Sequence, residues 1–121
     1  MALAKLDVVA LDCADPRALA GFYAGVLGGE VETEDEGWVV LKVPDGQDLA
    51  FQKVDGYTPP EWPRADRNSQ QLHLDLTVPD LDEAERGVLE LGAKVLDAED
   101  RSRTWRVYAD PAGHPFCLCA S

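Results

Sequence analysis

The sequence predicts an α+β fold built from two tandem β-α-β-β-β units, and three observations support this prediction. The chain has 121 residues, 45% of them hydrophobic and 28% charged, which suits one compact globular domain. Strand-like alternation and helix-like spacing follow one another in the same order twice. The halves also keep a nearly constant offset, since Asp80 lies 65 positions after Asp15. Trp105 lies 67 positions after Trp38. Such a repeat predicts a cup-shaped mixed sheet with the helices outside, in a single domain over residues 1–121.

Unit one covers residues 5–54 and opens with a strand over Lys5–Asp12. Side chains alternate along a strand, so one face carries Asp7, Val9 and Leu11, and the other carries Leu6, Val8 and Ala10. Asp15 followed by Pro16 predicts a helix start, because aspartate caps free backbone N–H groups and proline suits the first helical turn. Gly28 predicts the helix end, where a left-handed backbone is common. Three further strands are expected over Glu30–Glu36, Trp38–Val43 and Leu49–Lys53.

A linker over residues 55–70 interrupts the pattern. Three prolines there disfavour a central strand or a helix. Tyr57 and Trp62 are large side chains for a simple spacer. Two interpretations stay open: the aromatic rings pin the linker to the domain surface, or they line a binding cleft as a lid.

Unit two covers residues 71–120 and opens with a strand over Gln71–Thr77. Its leucines form an apolar face, and His73 and Asp75 lie on the opposite, polar face. Asp80 predicts the start of the second helix and Gly92 its end. The remaining strands are expected over Lys94–Ala98, Thr104–Ala109 and Pro115–Cys119.

The charge balance restricts the partners that the protein can have. The formal net charge is −12, from 23 acidic and 11 basic residues. A surface this acidic repels phosphate backbones and anionic lipid, so we expect no nucleic-acid and no membrane partner. No apolar run is long enough to span a bilayer, and the N-terminus lacks the pattern of a signal peptide. We expect a cytoplasmic protein.

Three cysteines and three arginines call for interpretation. Cys13, Cys117 and Cys119 are an odd number of thiols, which favours buried, reduced side chains over a disulfide framework. Cys117 and Cys119 share one strand face, and a soft-metal pair is the alternative. The arginines are expected to form solvated ion pairs with Glu99 and Asp100, and an anion site is the alternative. They are Arg101, Arg103 and Arg106.

The residues of both units resemble a known superfamily. Unit one contains DVVALDCADPRALAGFYAGVLGGEV, unit two contains LHLDLTVPDLDEAERGVLELGAKV, and the chain ends WRVYADPAGHPFCLC. In this tandem arrangement they resemble the vicinal oxygen chelate superfamily of lactoylglutathione lyases, extradiol dioxygenases, and bleomycin- or fosfomycin-resistance proteins. The phrases YTPPEWP, QQLHLDLTVPDLDEAE and YADPAGHPFCLC look like the glyoxalase-like branch found in actinobacterial proteins. The resemblance covers nearly the whole chain and implies the fold, which hosts many chemistries.

The resemblance also implies where a metal would bind. Family members hold a divalent ion in the cup with side chains from the first and last strands of both units. Carried over by position, these sites fall on Val8, Ala50, His73 and Cys117. Only His73 is an expected ligand, Cys117 offers a thiolate, and the other two have no donor atom. We therefore predict no cofactor and no metal site of the family kind, with a divalent metal as the alternative.

We predict a small-molecule binding protein whose cup holds an apolar or aromatic ligand. The side chains assigned to the site are His73, Asp75, Gln52, Trp62, Tyr57, Cys117 and Trp105. The first three would be polar anchors, and Trp62 or Tyr57 would form a lid.

Two other functions stay open. One is a lyase, isomerase or dioxygenase, whose catalytic residue is unknown and for which His73 is the candidate acid–base group. The other is a structural module whose cup is filled by its own side chains. The resemblance also implies a homodimer.

Overall fold

The computed structural model describes residues 2–64 and 66–121. Met1 lies outside the described residues, as does Ala65 in the predicted linker. The chain forms two compact units, the first ending at Tyr57 and the second beginning at Thr58. Each unit has the predicted order β-α-β-β-β, so the predicted α+β repeat is confirmed. That the two units make a single domain stays a prediction.

The first unit is a four-stranded mixed sheet with one helix. The strand order is β1-β4-β3-β2, in which β1 and β4 run parallel and the other pairs run antiparallel. The helix lies between β1 and β2 in the chain and contacts the sheet chiefly through β3 and β4. The elements are β1 (Val9–Cys13), α1 (Pro16–Leu27), β2 (Glu30–Asp35), β3 (Trp38–Lys42) and β4 (Leu49–Lys53).

The second unit repeats this plan, with the strand order β5-β8-β7-β6. Its elements are β5 (Leu74–Val78), α2 (Leu81–Leu91), β6 (Lys94–Asp97), β7 (Trp105–Ala109) and β8 (Pro115–Ala120). The pairing register agrees with the offsets in the sequence. Ala10 is opposite Ala50 in the first sheet, and Asp75 is opposite Cys117 in the second, 65 and 67 positions further along. The repeat therefore extends to individual cross-strand pairs.

Both helices begin and end as predicted. The Asp15 carboxylate accepts a hydrogen bond from the Ala18 N–H at 3.2 Å, and the Asp80 carboxylate accepts one from the Glu83 N–H at 3.1 Å. Each bond satisfies a backbone donor that has no partner within the helix. At the other end of α2, Gly92 has a φ of 116°, which is strained for any residue with a Cβ.

The first strand of each unit is shorter than the sequence predicts. β1 begins at Val9 rather than at Lys5, and β5 begins at Leu74 rather than at Gln71. Pairing with the parallel partner strand begins only at these residues, at Val9 opposite Leu49 and at Leu74 opposite Phe116. As a result, His73 lies one residue before the strand. Leu72 is 60% exposed instead of lying on a buried apolar face.

The two helix–sheet interfaces differ in polarity. In the first unit the buried side of α1 is apolar and includes Leu19, Phe22 and Tyr23. In the second unit Arg106 is only 4% exposed and lies on the side of β7 that faces α2. Its Nη2 donates to Asp82 Oδ1 at 2.8 Å. The expectation that Arg106 pairs with Glu99 or Asp100 in solvent is wrong, because its strand position turns it toward the helix.

No helix within residues 2–64 and 66–121 is long and apolar enough to cross a membrane. The cytoplasmic location stays a prediction.

Candidate ligand-binding site

A cavity of about 480 Å³ opens on the second unit. It lies against the face of the sheet that α2 does not cover, because side chains alternate along β7 and Arg106 takes the helix side. Most of its wall is apolar, and two tryptophans are part of it. Six of its lining residues are Trp62, Gln70, Trp105, Val107, Pro115 and Cys119.

Strand pairing assembles the floor of this cavity. Cys117 on β8 lies opposite Asp75 on β5 and opposite Val107 on β7. Residues directly opposite each other in a sheet point to the same face, so these three side chains form one row. Trp105 is opposite Cys119 and starts the next row. The short β-strands of unit two therefore bring a carboxylate, two thiols and an indole together.

His73, Asp75 and Cys117 form a polar trio in the cavity. His73 Nε2 lies 3.1 Å from Asp75 Oδ1, and the Cys117 thiol also donates a hydrogen bond to the Asp75 carboxylate. One ligand atom from each residue lies within 4.8 Å of the other two. The side chains of His73 and Asp75 are 40% and 63% exposed, so both can change rotamer without disturbing the core.

The thiols of the cavity are protonated near neutral pH. Burial and the negative charge of Asp75 raise the pKa of Cys117 to about 11. The pKa of Cys119 is also raised, by burial and then by Asp75. A thiol in this condition is a weak nucleophile, because the thiolate is the reactive form.

Trp105 is held from one side by Arg103. The Arg103 guanidinium lies 3.9 Å from the centre of the indole ring, which is a cation–π contact. Arg103 Nη2 in turn donates to Asp97 Oδ1 at 2.8 Å. The expected ion pairs of Arg103 and Arg101 with Glu99 or Asp100 are therefore wrong, since Arg101 is paired with Glu85 at 3.4 Å. Sequence spacing could not find these partners, which lie across the fold.

The part of the predicted linker that belongs to the second unit contributes to the cavity. Trp62 lines the cavity. The Glu61 N–H, next to Trp62 in the chain, donates a hydrogen bond to the Asn68 carbonyl at 2.6 Å. Pro59 packs closely against Gly113. A Cβ added to Gly113 would lie 2.5 Å from the Cβ of Pro59. Trp62 is therefore an aromatic side chain in the cavity wall, and its action as a lid stays a prediction.

The sequence-predicted site residues separate into two groups. His73, Asp75, Trp62, Cys117 and Trp105 line the same cavity. Gln52 on β4 and Tyr57 lie in the first unit and are not among the residues that line it.

The sequence analysis did not assign two lining residues, Gln70 and Cys119. Cys119 was detectable, because it lies two positions after Cys117 on one strand and so shares its face. Gln70 has no pattern around it that could have identified it. Its Oε1 is buried and has no hydrogen-bond partner among the described residues.

The four positions implied by the resemblance contain few metal ligands. Val8 and Ala50 carry no donor atom, and Ala50 is fully buried. His73 and Cys117 do offer nitrogen and sulfur, and Asp75 adds an oxygen beside them. Every donor that the chain brings to these positions therefore lies in the second unit.

Comparison with known proteins identifies relatives by sequence profile and by shape. The profile of the family described as "Glyoxalase-like domain" matches residues 8–119. No curated protein matches the chain. The solved structures described next have a similar fold and at most 20% sequence identity to this chain. At this identity they show a similarity of fold alone.

Three such structures span different chemistries. A glyoxalase/bleomycin resistance protein/dioxygenase family enzyme from Burkholderia phytofirmans PsJN has a TM-score of 0.74 at 16% identity, covering 97% of this chain and 98% of that one. The oxidase ChaP-H2 has a TM-score of 0.67 at 20% identity, with 99% and 95% covered. A variant of the fosfomycin resistance protein FosX from Listeria monocytogenes, complexed with Mn(II) and a dihydroxypropylphosphonic acid, has a TM-score of 0.68 at 13% identity, with 98% and 90% covered.

Proposed function

The chain belongs to the glyoxalase-like domain family of the vicinal oxygen chelate superfamily, and from this premise we propose that it binds a small aromatic or apolar molecule in the cavity of its second unit. The observation that carries the proposal is the cavity itself. Its volume of about 480 Å³ falls within the range of roughly 300–1,000 Å³ that is usual for small-molecule sites. A mostly apolar wall with a few polar groups is also typical of such sites.

The tryptophans favour a flat, aromatic ligand. Trp62 and Trp105 present indole rings to the cavity, and aromatic pairs stabilise a complex beyond the area that they bury. Arg103 and Asp97 hold Trp105 before any ligand arrives. A side chain that is already oriented loses less conformational entropy on binding, which improves affinity.

The polar groups favour a ligand that donates hydrogen bonds. Asp75 contributes a carboxylate, and Gln70 Oε1 is an acceptor without a partner among the described residues. Buried polar atoms without a partner are rare in folded proteins and call for an explanation. An N–H or O–H group of the ligand would satisfy Gln70. His73 would orient Asp75 through the contact at 3.1 Å.

An enzyme is the second candidate, favoured by the His73–Asp75 contact. In it, His73 would act as an acid–base group for a lyase, isomerase or dioxygenase reaction on the bound molecule. Cys117 is a poor nucleophile for such a reaction, since its pKa of about 11 leaves only about one part in 10⁴ as thiolate at pH 7. Because Cys117 would add little as a nucleophile beside His73, we place binding before catalysis.

The test uses N-phenyl-1-naphthylamine, a neutral aromatic probe whose fluorescence rises in apolar surroundings. We expect the Trp105→Ala variant to bind the probe at least about tenfold more weakly than the unchanged protein. Trp38→Ala is the matched control, because Trp38 occupies the equivalent position in the first unit. His73→Ala is expected to keep its thermal unfolding midpoint and to weaken binding by a smaller factor.

Two results would reject the cavity as the binding site. One is unchanged affinity in Trp105→Ala, and the other is an equal loss in Trp38→Ala. Native mass spectrometry of the untagged protein would add the mass of any co-purified ligand. It would also count the chains in the assembly, which we propose is a homodimer.

A further inference from the structure

We propose that the ligand of the second-unit cavity is an arylalkylammonium ion, with its aromatic ring against Trp105 and its positive charge at Asp75. This inference rests on the function proposed above and narrows the class of molecule that the cavity selects. Both side chains line the cavity. The charges around each of them decide which end of the ligand lies where.

Asp75 presents a carboxylate to the cavity. Its side chain is 63% exposed, and its Oδ1 lies 3.1 Å from His73 Nε2. The Cys117 thiol also donates a hydrogen bond to it, and this thiol is uncharged at neutral pH because burial and the charge of Asp75 raise its pKa to about 11. A carboxylate has about four acceptor positions, so Asp75 retains acceptor capacity for an ammonium group beside these two contacts.

The cavity wall contains no positive side chain that would neutralise this carboxylate. Among residues 2–64 and 66–121, those that line the cavity include one carboxylate, that of Asp75, and no lysine or arginine. The net charge of the whole chain is −12, and a surface of this sign attracts cations and repels anions. The local charge and the overall charge therefore favour the same kind of ligand.

Trp105 is suited to an uncharged ring rather than to the cation itself. The Arg103 guanidinium lies over its indole ring, 3.9 Å from the centre, and occupies one face. A second cation on the other face would be repelled by this charge. A neutral aromatic ring stacks there without that cost. The positive end of the ligand is therefore directed away from Trp105 and toward Asp75.

The strand order separates these two anchors. Asp75 lies on β5 and Trp105 lies on β7, with β8 between them. Neighbouring strands are about 4.8 Å apart, so the two backbones are roughly 10 Å apart across the sheet. A ligand that uses both anchors thus has its ring at one end and its charge at the other.

The test compares three naphthalene derivatives of similar size by isothermal titration calorimetry at neutral pH. They are 1-naphthylmethylamine, a cation, 1-naphthalenemethanol, which is neutral, and 1-naphthoate, an anion. We expect the unchanged protein to bind the cation at least about fivefold more tightly than the alcohol, which one partly exposed ion pair allows. The anion should bind most weakly.

Substitutions assign the two ends of the ligand. Asp75→Asn should abolish the preference for the cation and leave the affinity for the alcohol within about twofold, because only the charge is removed. Glu90→Gln is the matched control, since it removes the same charge from an exposed position on α2, across the sheet from the cavity, and should keep the preference. Trp105→Ala should weaken the cation and the alcohol by similar factors, because both contain the ring.

Four results would overturn the inference: equal affinity for the cation and the alcohol, tighter binding of the anion, a preference that survives Asp75→Asn, or its loss in Glu90→Gln. Thermal unfolding shows whether Asp75→Asn keeps its fold, and the ranking in the unchanged protein tests the charge without any substitution. Binding of the alcohol without a preference for the cation rejects only the positive charge. Binding of none of the three compounds rejects the proposed function as well.

Discussion

Arg106 is a residue at which the two repeats differ in chemistry. It is 4% exposed, and its Nε and Nη1 have no hydrogen-bond partner among the described residues. Its counterpart in the first repeat is Val39, and the counterpart of Glu85 is Ala20, both fully buried. A buried arginine is costly unless carboxylates compensate it, so Arg106 depends on Asp82 and Glu85.

We expect Arg106→Val to lower the free energy of unfolding by about 1–3 kcal/mol, because it removes one of the two arginines, Arg101 and Arg106, that compensate the largely buried carboxylate of Glu85. Glu85→Ala together with Arg106→Val reproduces the apolar pair of the first repeat. The double variant should therefore lose less stability than the sum of the two single variants. Urea unfolding of the three proteins measures this coupling. Strict additivity would mean that the two side chains do not depend on each other.

At the scale of elements, the turn after β7 supports the loop that carries Trp62. Gly113 has a φ of 91°, and Pro59 occupies the space where a side chain would begin. The turn is fixed further by Asp110, whose carboxylate accepts hydrogen bonds from the Ala112 and His114 N–H groups at 2.8 and 3.0 Å. The turn residue and the loop are thus coupled through the contact between Gly113 and Pro59.

Gly113→Ala should destabilise the protein by about 2 kcal/mol or more, since it adds a steric clash to the cost of a left-handed backbone. Gly56→Ala is the control, because Gly56 has a φ of 70° with nothing within 4 Å of the added Cβ. We expect the control to lose about 1–2 kcal/mol and to bind the naphthylamine probe normally. Thermal unfolding and probe titration check both points. Equal losses in the two variants would show that the Pro59 contact has no energetic weight.

At the scale of the whole molecule, acid stability depends on a few paired carboxylates within a net charge of −12. A hydrogen bond from Arg106 lowers the pKa of Asp82. Burial raises the pKa of Glu85, but hydrogen bonds from Tyr108 and Arg101 outweigh it, and the net shift is downward. The folded state therefore binds fewer protons than the unfolded state in acid.

These lowered pKa values predict the pH dependence of stability. The contribution of Asp82 and Glu85 is fully present above their unfolded pKa values of 3.8 and 4.5, and it is lost as the pH falls through the lower folded values. The free energy of unfolding should thus decline below about pH 4.5. Arg106→Val should decline less steeply, and urea unfolding between pH 7 and pH 3 measures both slopes. Parallel curves would contradict the assignment of the shift to Arg106.

The sequence by itself determined the repeat, the element order and both helix caps. It also assigned His73, Asp75, Trp62, Cys117 and Trp105 to a binding site, and these five residues line the cavity. All of these features follow from local sequence patterns and from the alternation of side chains along a strand. Such patterns depend largely on residues that are close together in the chain. Val8 and Ala50 could likewise be rejected as metal ligands from residue type alone.

Only the tertiary structure decided which residues meet. It joined Asp75 to Cys117 through strand pairing, gave Arg103 and Arg106 their partners, and left Gln52 and Tyr57 outside the cavity lining. It also began β5 at Leu74, where the pairing with Phe116 of β8 begins. The physical reason is common to all of these: pairing and burial depend on residues distant in sequence, and local propensity carries no information about them.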